Sequence, residues 1–238
     1  MPNNYFSFKR FTIYQDKSSM KVCTDSCLFG AWIAHEIERK KIIAKTILDI
    51  GTGTGLLSLM LAQKTTATIS AVEIDINSSQ QADENFKRSP WNDRLSIFHA
   101  DIKSWLSQHQ YDLIVCNPPF YEDGLLPDDN GKNISKHSAA LNFEELLISV
   151  KKLIKDDGGF AILLPASRAT FFETLAFKHS LFPEEMLEVK QTPSHNYFRK
   201  LFFFRTQICK LSVNDLSIKD DKNVYTKEFK GLLKDYYL

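Results

Sequence analysis

Asn117-Pro118-Pro119-Phe120 stands directly after the apolar run Tyr111-Asp112-Leu113-Ile114-Val115-Cys116. A β-rich run that ends in two prolines reads as a buried strand stopped abruptly, because neither proline can donate to a ladder and each fixes φ. The carboxamide of Asn117 is thereby carried on a rigid turn at the carboxyl end of a strand, where an open α/β sheet keeps its chemistry. A base or a substrate amine would be held there. Asn-Pro also begins ordinary turns, so the reading needs a second motif.

That motif is Asp49-Ile50-Gly51-Thr52-Gly53-Thr54-Gly55, which follows a strand-like run and opens a helix-like one. Gly51, Gly53 and Gly55 permit a tight turn and close approach of a ligand. An acid ahead of the first glycine is unwelcome beside a pyrophosphate and suits a ligand with an ammonium group, such as the amino-acid end of S-adenosylmethionine. Glu73 closes the next strand some 20 residues on, where an acid that grips ribose hydroxyls belongs. Asp101 follows a third strand and could accept an adenine amino group. A single strand-end acid is more often a cap or a turn residue; three around one glycine loop are a site.

The elements that must position these residues alternate. Strands are predicted at about 46–50, 68–73, 95–98, 111–116, 158–164, 185–190 and 200–207, and helices at about 55–63, 77–88, 102–107, 142–155 and 168–179. This pattern implies an α/β fold: a doubly wound, Rossmann-like, seven-stranded, mainly parallel sheet with helices on both faces. The last two strands lack an intervening helix, so they read as a hairpin that makes the final strand antiparallel. Ahead of this core, residues 1–20 interleave aromatics with Lys9 and Arg10 as a strand or hairpin. A helix over 27–34 follows, with Thr24, Asp25 or Ser26 as its N-cap. The polar stretch 122–138 either closes over a substrate or is plain surface. The chain reads as one domain, with residues 1–45 an extension packing on the cofactor and substrate face of a 46–238 core.

With 238 residues, 43% of them hydrophobic, the chain can bury a large core, and its net charge of +1 excludes binding nucleic acid by bulk charge alone. Residues 1–46 are locally basic, with eight Lys and Arg against four Asp and Glu, so a polyanion would find that end first. Cys23, Cys27, Cys116 and Cys209 lack zinc-type spacing and read as reduced thiols of a cytoplasmic protein. Neither a membrane segment nor a metal is expected.

Asp49 to Gly55, Glu73, Asp101 and the Asn117 tetrapeptide together resemble the class I S-adenosylmethionine-dependent methyltransferases that methylate amines, over residues 46 to about 207. Phe6-x-Phe8-Lys9-x-Phe11-x-Ile13-x-Gln15-Asp16 and Met20-Lys21-Val22-x-Thr24-Asp25 resemble, more narrowly, the bacterial tRNA1(Val) adenine-37 N6-methyltransferase family, from which Cys23 departs where glycine is expected. The resemblance implies S-adenosylmethionine as cofactor, held by Thr24, Asp25, Asp49, Gly51, Gly53, Gly55, Glu73, Asp101 and Asn117. It implies Asn117, Pro118, Pro119 and Phe120 as the catalytic turn. Phe120 and Tyr121 would stack on the base, and Lys9, Arg10 and Lys21 would seat a tRNA anticodon stem-loop, without an obligatory protein partner. Guanine-N2 methylation of rRNA and glutamine-N5 methylation of protein use the same tetrapeptide and stay open, as does a non-catalytic RNA-binding module of this fold.

Overall fold

The computed structural model describes residues 3–18, 20–118 and 142–238. Its first elements are a short hairpin, β1 (Tyr5–Ser7) and β2 (Thr12–Tyr14), and a long helix, α1 (Thr24–Lys40). Then come β3 (Thr46–Ile50), α2 (Leu56–Lys64), β4 (Thr68–Glu73), α3 (Ile76–Lys87), β5 (Leu95–His99) and β6 (Tyr111–Cys116). The second half holds α4 (Phe143–Leu153), β7 (Ile154–Pro165), α5 (Ala166–Lys178), β8 (Phe182–Lys190), β9 (Tyr197–Arg205), β10 (Ser212–Ser217) and α6 (Lys227–Leu233).

The main sheet runs β10-β8-β9-β7-β6-β3-β4-β5, with β9 antiparallel to both neighbours and every other pairing parallel. The β8–β9 hairpin and the antiparallel β9 match expectation; the sheet has eight strands instead of seven. The eighth, β10, has mostly exposed residues and no apolar alternation, because it sits at an edge, so periodicity could not find it. The helix expected at 102–107 is instead a short turn in which the Asp101 carbonyl accepts from Ser104 and Trp105.

Side-chain alternation sorts the core. Ile47, Leu113, Val115, Ala161, Leu163, Leu201 and Phe203 face a layer built from α1, α2, α3 and α6, whereas Leu48, Ile114, Cys116, Phe160, Ile162, Phe202 and Phe204 face α4 and α5. The same period of two puts Asp49 on the face of Ile47, and Asn117 on the face of Leu113 and Val115. Both therefore look toward α1 and α2. Among the described residues no helix is long and apolar enough to cross a membrane.

Candidate active site

The chain reverses its direction of travel across the sheet at β3, which pairs with β4 on one side and β6 on the other. Crevices at such switch points take ligands. Ile50 pairs with Cys116 at the last rung, so the glycine loop and Asn117 leave from adjacent positions, about 5 Å apart across the ladder.

The loop is braced by its acids. Asp49 is fully buried and accepts from the Thr52 hydroxyl at 2.6 Å, the Ser58 hydroxyl at 2.7 Å and the Ser58 N–H at 3.1 Å, all on Oδ2. Ser58 is the third residue of α2, so a strand-end carboxylate does the work of an N-cap for a helix whose own cap is Gly55. Asp49 Oδ1 is buried without a hydrogen-bond partner. Burial raises its carboxyl to about 6, only partly countered by those three donors. Glu73 accepts Gly53 N–H at 2.8 Å on one oxygen and Asp75 N–H at 2.9 Å on the other. Each carboxylate oxygen keeps a further lone pair for a hydroxyl. Gly51 (φ +68°) and Gly53 (φ +59°) have open space where a Cβ would stand.

At the end of β6 the Asn117 amide donates from Nδ2 to Ser26 Oγ at 2.9 Å, while its buried Oδ1 has no partner. Pro118 is buried beside it. Pro119, Phe120, Tyr121 and the 122–138 stretch lie outside the described residues. Asp101 sits two residues beyond β5, accepting Lys103 N–H at 3.0 Å with the Lys103 ammonium at 3.6 Å.

The start of α1 departs from expectation. Its N-cap is Cys23, with no side-chain cap bond, and Thr24 is the exposed first residue. Asp25, counted with the cofactor contacts, pairs with Arg199 of β9 at 2.9 Å, which holds its carboxyl below the ordinary range despite burial. Ser26 is the residue that reaches Asn117.

The basic residues chosen from sequence do not gather at this edge. Lys9 donates to the Lys234 carbonyl at 2.6 Å, and Arg10 lies over Trp91, 5.5 Å from the ring centre. Both contacts are near the far ends of α2 and α3, helices that begin at the crevice side. Arg39 and Lys40 each reach Glu185 at 2.8 Å. Lys21 stays near the crevice and folds its ammonium onto the carbonyls of Gln15 and Ser18.

Sequence reasoning missed Asn85. Buried on α3, it donates to the carbonyls of Tyr14 at 2.8 Å and Thr54 at 2.9 Å and accepts Tyr14 N–H, tying β2 to the glycine loop. Gln81 accepts Lys17 N–H and Ser78 meets Ser18 on the same helix. The spacing 78, 81, 85 is one helical face, so a polar stripe on a helix expected to be covered was the available signal.

The Methyltransferase small domain family matches residues 31–148. A predicted O-methyltransferase from Agrobacterium tumefaciens has the same fold, with a TM-score of 0.66 at 13% identity over 88% of this chain and 95% of that one. Two proteins named tRNA1(Val) (adenine(37)-N6)-methyltransferase are far nearer in sequence. That of Flavobacterium psychrophilum is 41% identical over 98% of this chain and 99% of its own length, and that of Trichodesmium erythraeum 42% identical over 100% and 99%. Identity of that order, sustained across essentially the whole of both chains, shows the family: this chain belongs to the tRNA1(Val) (adenine(37)-N6)-methyltransferase family.

Proposed function

We propose that this protein methylates N6 of adenine 37 in the anticodon loop of tRNA1(Val), with S-adenosylmethionine as methyl donor, in the cytoplasm and as a single domain. The observation that carries the reading is the Asn117 amide: its nitrogen is already satisfied by Ser26, and its buried oxygen awaits a donor. An exocyclic N6–H is such a donor. Guanine N2 or a glutamine amide would satisfy Asn117 equally; the near relatives of both termini and core favour adenine.

The crevice suits the cofactor. The unpartnered Asp49 Oδ1 fits an ammonium, Glu73 keeps lone pairs for ribose hydroxyls, and the open space over Gly51 and Gly53 leaves room for close backbone approach. Asp101 stands at the same edge for the adenine amine. When bound, S-adenosylmethionine supplies an activated methyl group. The chain contributes position and electrostatics. The amine of adenine is a poor nucleophile, since its lone pair is delocalised into the ring. Asn117 Oδ1, together with the Pro118 carbonyl, accepts its two N–H groups, draws the nitrogen toward tetrahedral geometry and aims the lone pair. Phe120 and Tyr121 are proposed to stack on the base. Position 37 lies in a loop, where a base is splayed out at lower cost than from a duplex. Lys21, and more remotely Lys9 and Arg10, are proposed to meet the RNA backbone.

The test is single-turnover methyl transfer to tRNA1(Val), with the product digested to nucleosides. N6-methyladenosine at position 37 is expected, and Asn117→Ala is expected to lower kcat and kcat/KM together by about 10²–10³, with cofactor binding measured separately. Methyl transfer to another nucleoside, or near wild-type turnover by Asn117→Ala, would refute it.

A further inference from the structure

Charge divides the carboxyl edge of the sheet. On one side of Asn117 stand the acids Asp49, Glu73 and Asp101, at or just past the ends of β3, β4 and β5. On the other side the sheet continues through β7 and β9 to β8, and residues 189–200 hold Lys190, His195, Arg199 and Lys200 without one Asp or Glu. The β8–β9 hairpin turns back at this same edge, since Pro165 at the end of β7 pairs with Arg199, and Lys190 pairs with Tyr197. Strands β9 and β8 lie about 10 and 15 Å across the ladder from the strand that leads into Asn117.

The tip of that hairpin is preformed. Thr192-Pro193-Ser194-His195 make a turn in which His195 N–H donates to the Thr192 carbonyl at 3.0 Å, with Pro193 where a turn needs φ fixed. Ile218 and Lys219 donate their N–H groups to the carbonyls of Lys190 and Gln191 at 2.9 Å, which pins the base of the tip. Arg199 reaches Asp25, the neighbour of the Ser26 that holds the Asn117 amide, so the hairpin is tied to the helix turn beside the crevice. Lys200 is offset by Glu188 at 2.7 Å. Lys190 has no acid partner among the described residues; its ammonium lies 4.4 Å from the ring centre of the half-buried Tyr197. A cation beside a partly open ring suits both parts of a nucleotide, the phosphate and the base face.

We propose that the tip of the β8–β9 hairpin seats the RNA strand that flanks the methylated base, with Lys190 on a backbone phosphate and Tyr197 stacked on an unpaired base. The proposal rests on the substrate being RNA. A polyanion laid across Asn117 is repelled by the acids of the cofactor side and drawn to this one. A tip already held in shape is ordered at little cost when it binds.

The experiment measures binding of an unmodified tRNA1(Val) transcript by the full chain between about 50 and 200 mM salt, beside steady-state methyl transfer. Lys190→Ala is expected to weaken binding several-fold at the lower salt and to reduce the slope of log K against log salt by about 0.7–0.9, the signature of one phosphate contact. The same change at Lys151, in the last turn of α4, should leave the slope as it is. Tyr197→Ala is expected to weaken binding about tenfold without changing the slope, whereas Tyr197→Phe, which keeps the stacking face, should bind within about twofold of the wild type. Both hairpin alanine variants should raise KM for tRNA more than they change kcat, and an unchanged cofactor dissociation constant shows the fold intact. Wild-type binding by either of them overturns the proposal, as does a Lys190→Ala slope equal to that of Lys151→Ala, or a Tyr197→Phe variant as weak as Tyr197→Ala. If the wild type methylates an RNA base other than adenine 37, the substrate reading fails and the same variants on that RNA decide the hairpin. If it methylates protein and binds no RNA, both fail.

Discussion

Asp49 uses its two oxygens differently: Oδ2 builds the loop, whereas Oδ1 is left without a partner and is the atom proposed to meet the cofactor's ammonium. Its raised pKa of about 6 then has two opposite consequences. An ammonium binds the ionised form, so cofactor affinity should be level above about pH 7 and fall below pH 6 by up to about tenfold per unit. Stability moves the other way. The folded carboxyl holds its proton more tightly than the unfolded one, so between the folded value near 6 and the ordinary value near 4 this residue's contribution to stability rises as pH falls. Calorimetric titration of cofactor from pH 5 to 8, beside urea denaturation over the same range, should show both trends, and Asp49→Asn should flatten both. Residues of this kind were legible because they are written at strand ends. Ser26 and Asn85 were not, since their partners lie 91 and 71 positions away, at Asn117 and Tyr14, and nothing local marks a hydroxyl or an amide as anyone's neighbour.

Among elements, the glycine turn between β3 and α2 separates shape from function. Gly55 has φ +83°, and a Cβ there would meet Phe86 of α3 at 2.5 Å, whereas a Cβ on Gly53 would meet nothing within 4 Å. Gly55→Ala should therefore destabilise the protein by about 2–4 kcal/mol, from left-handed strain plus overpacking. Gly53→Ala should cost about 1–2 kcal/mol from strain alone and instead weaken cofactor binding, because its methyl fills the space the ligand needs. Urea denaturation and calorimetry distinguish the two. The strands that form β3, β4, β5 and β6 were readable within a residue or so because each is a buried run bounded by turn residues. Helix α6 and β10 escaped: one is seven residues long and the other an exposed edge, so neither carries the apolar period that would announce it.

For the molecule as a whole, the two ends of the chain meet on one surface. Lys9 N–H donates to the Tyr236 carbonyl at 2.8 Å, the rings of Phe6 and Phe8 lie 5.9 and 6.1 Å from that of Tyr237, and the fully buried Tyr236 donates its hydroxyl to the Met60 carbonyl. Helix α6 packs on α1, the helix whose first turn holds Ser26. Tyr236→Ala should cost about 3–5 kcal/mol in urea denaturation, as a large buried ring does, and Tyr236→Phe about 1 kcal/mol for its one hydrogen bond. The amino-terminal aromatics were legible as a hairpin, but the carboxyl-terminal segment carried no pattern, and nothing in either marked that they touch. Contact between segments so far apart is set by the topology of the whole sheet.

That contact also sets an order in time. The Lys9 side chain finds its acceptor 225 residues further along the chain, so during synthesis the β1–β2 hairpin emerges with its Phe6 and Phe8 rings uncovered on the side that Tyr237 closes, and although Phe11 can meet Trp91 early, that side stays open until the segment around Tyr236 is made. At about 5–20 residues per second that wait lasts on the order of ten seconds or more. The crevice strands β3, β4 and β6 can pair within it, but that side of the hairpin remains open to any hydrophobic partner nearby. The protein's period of greatest exposure to misassembly is thus expected to fall before its own carboxyl-terminal segment is available, however stable the finished fold.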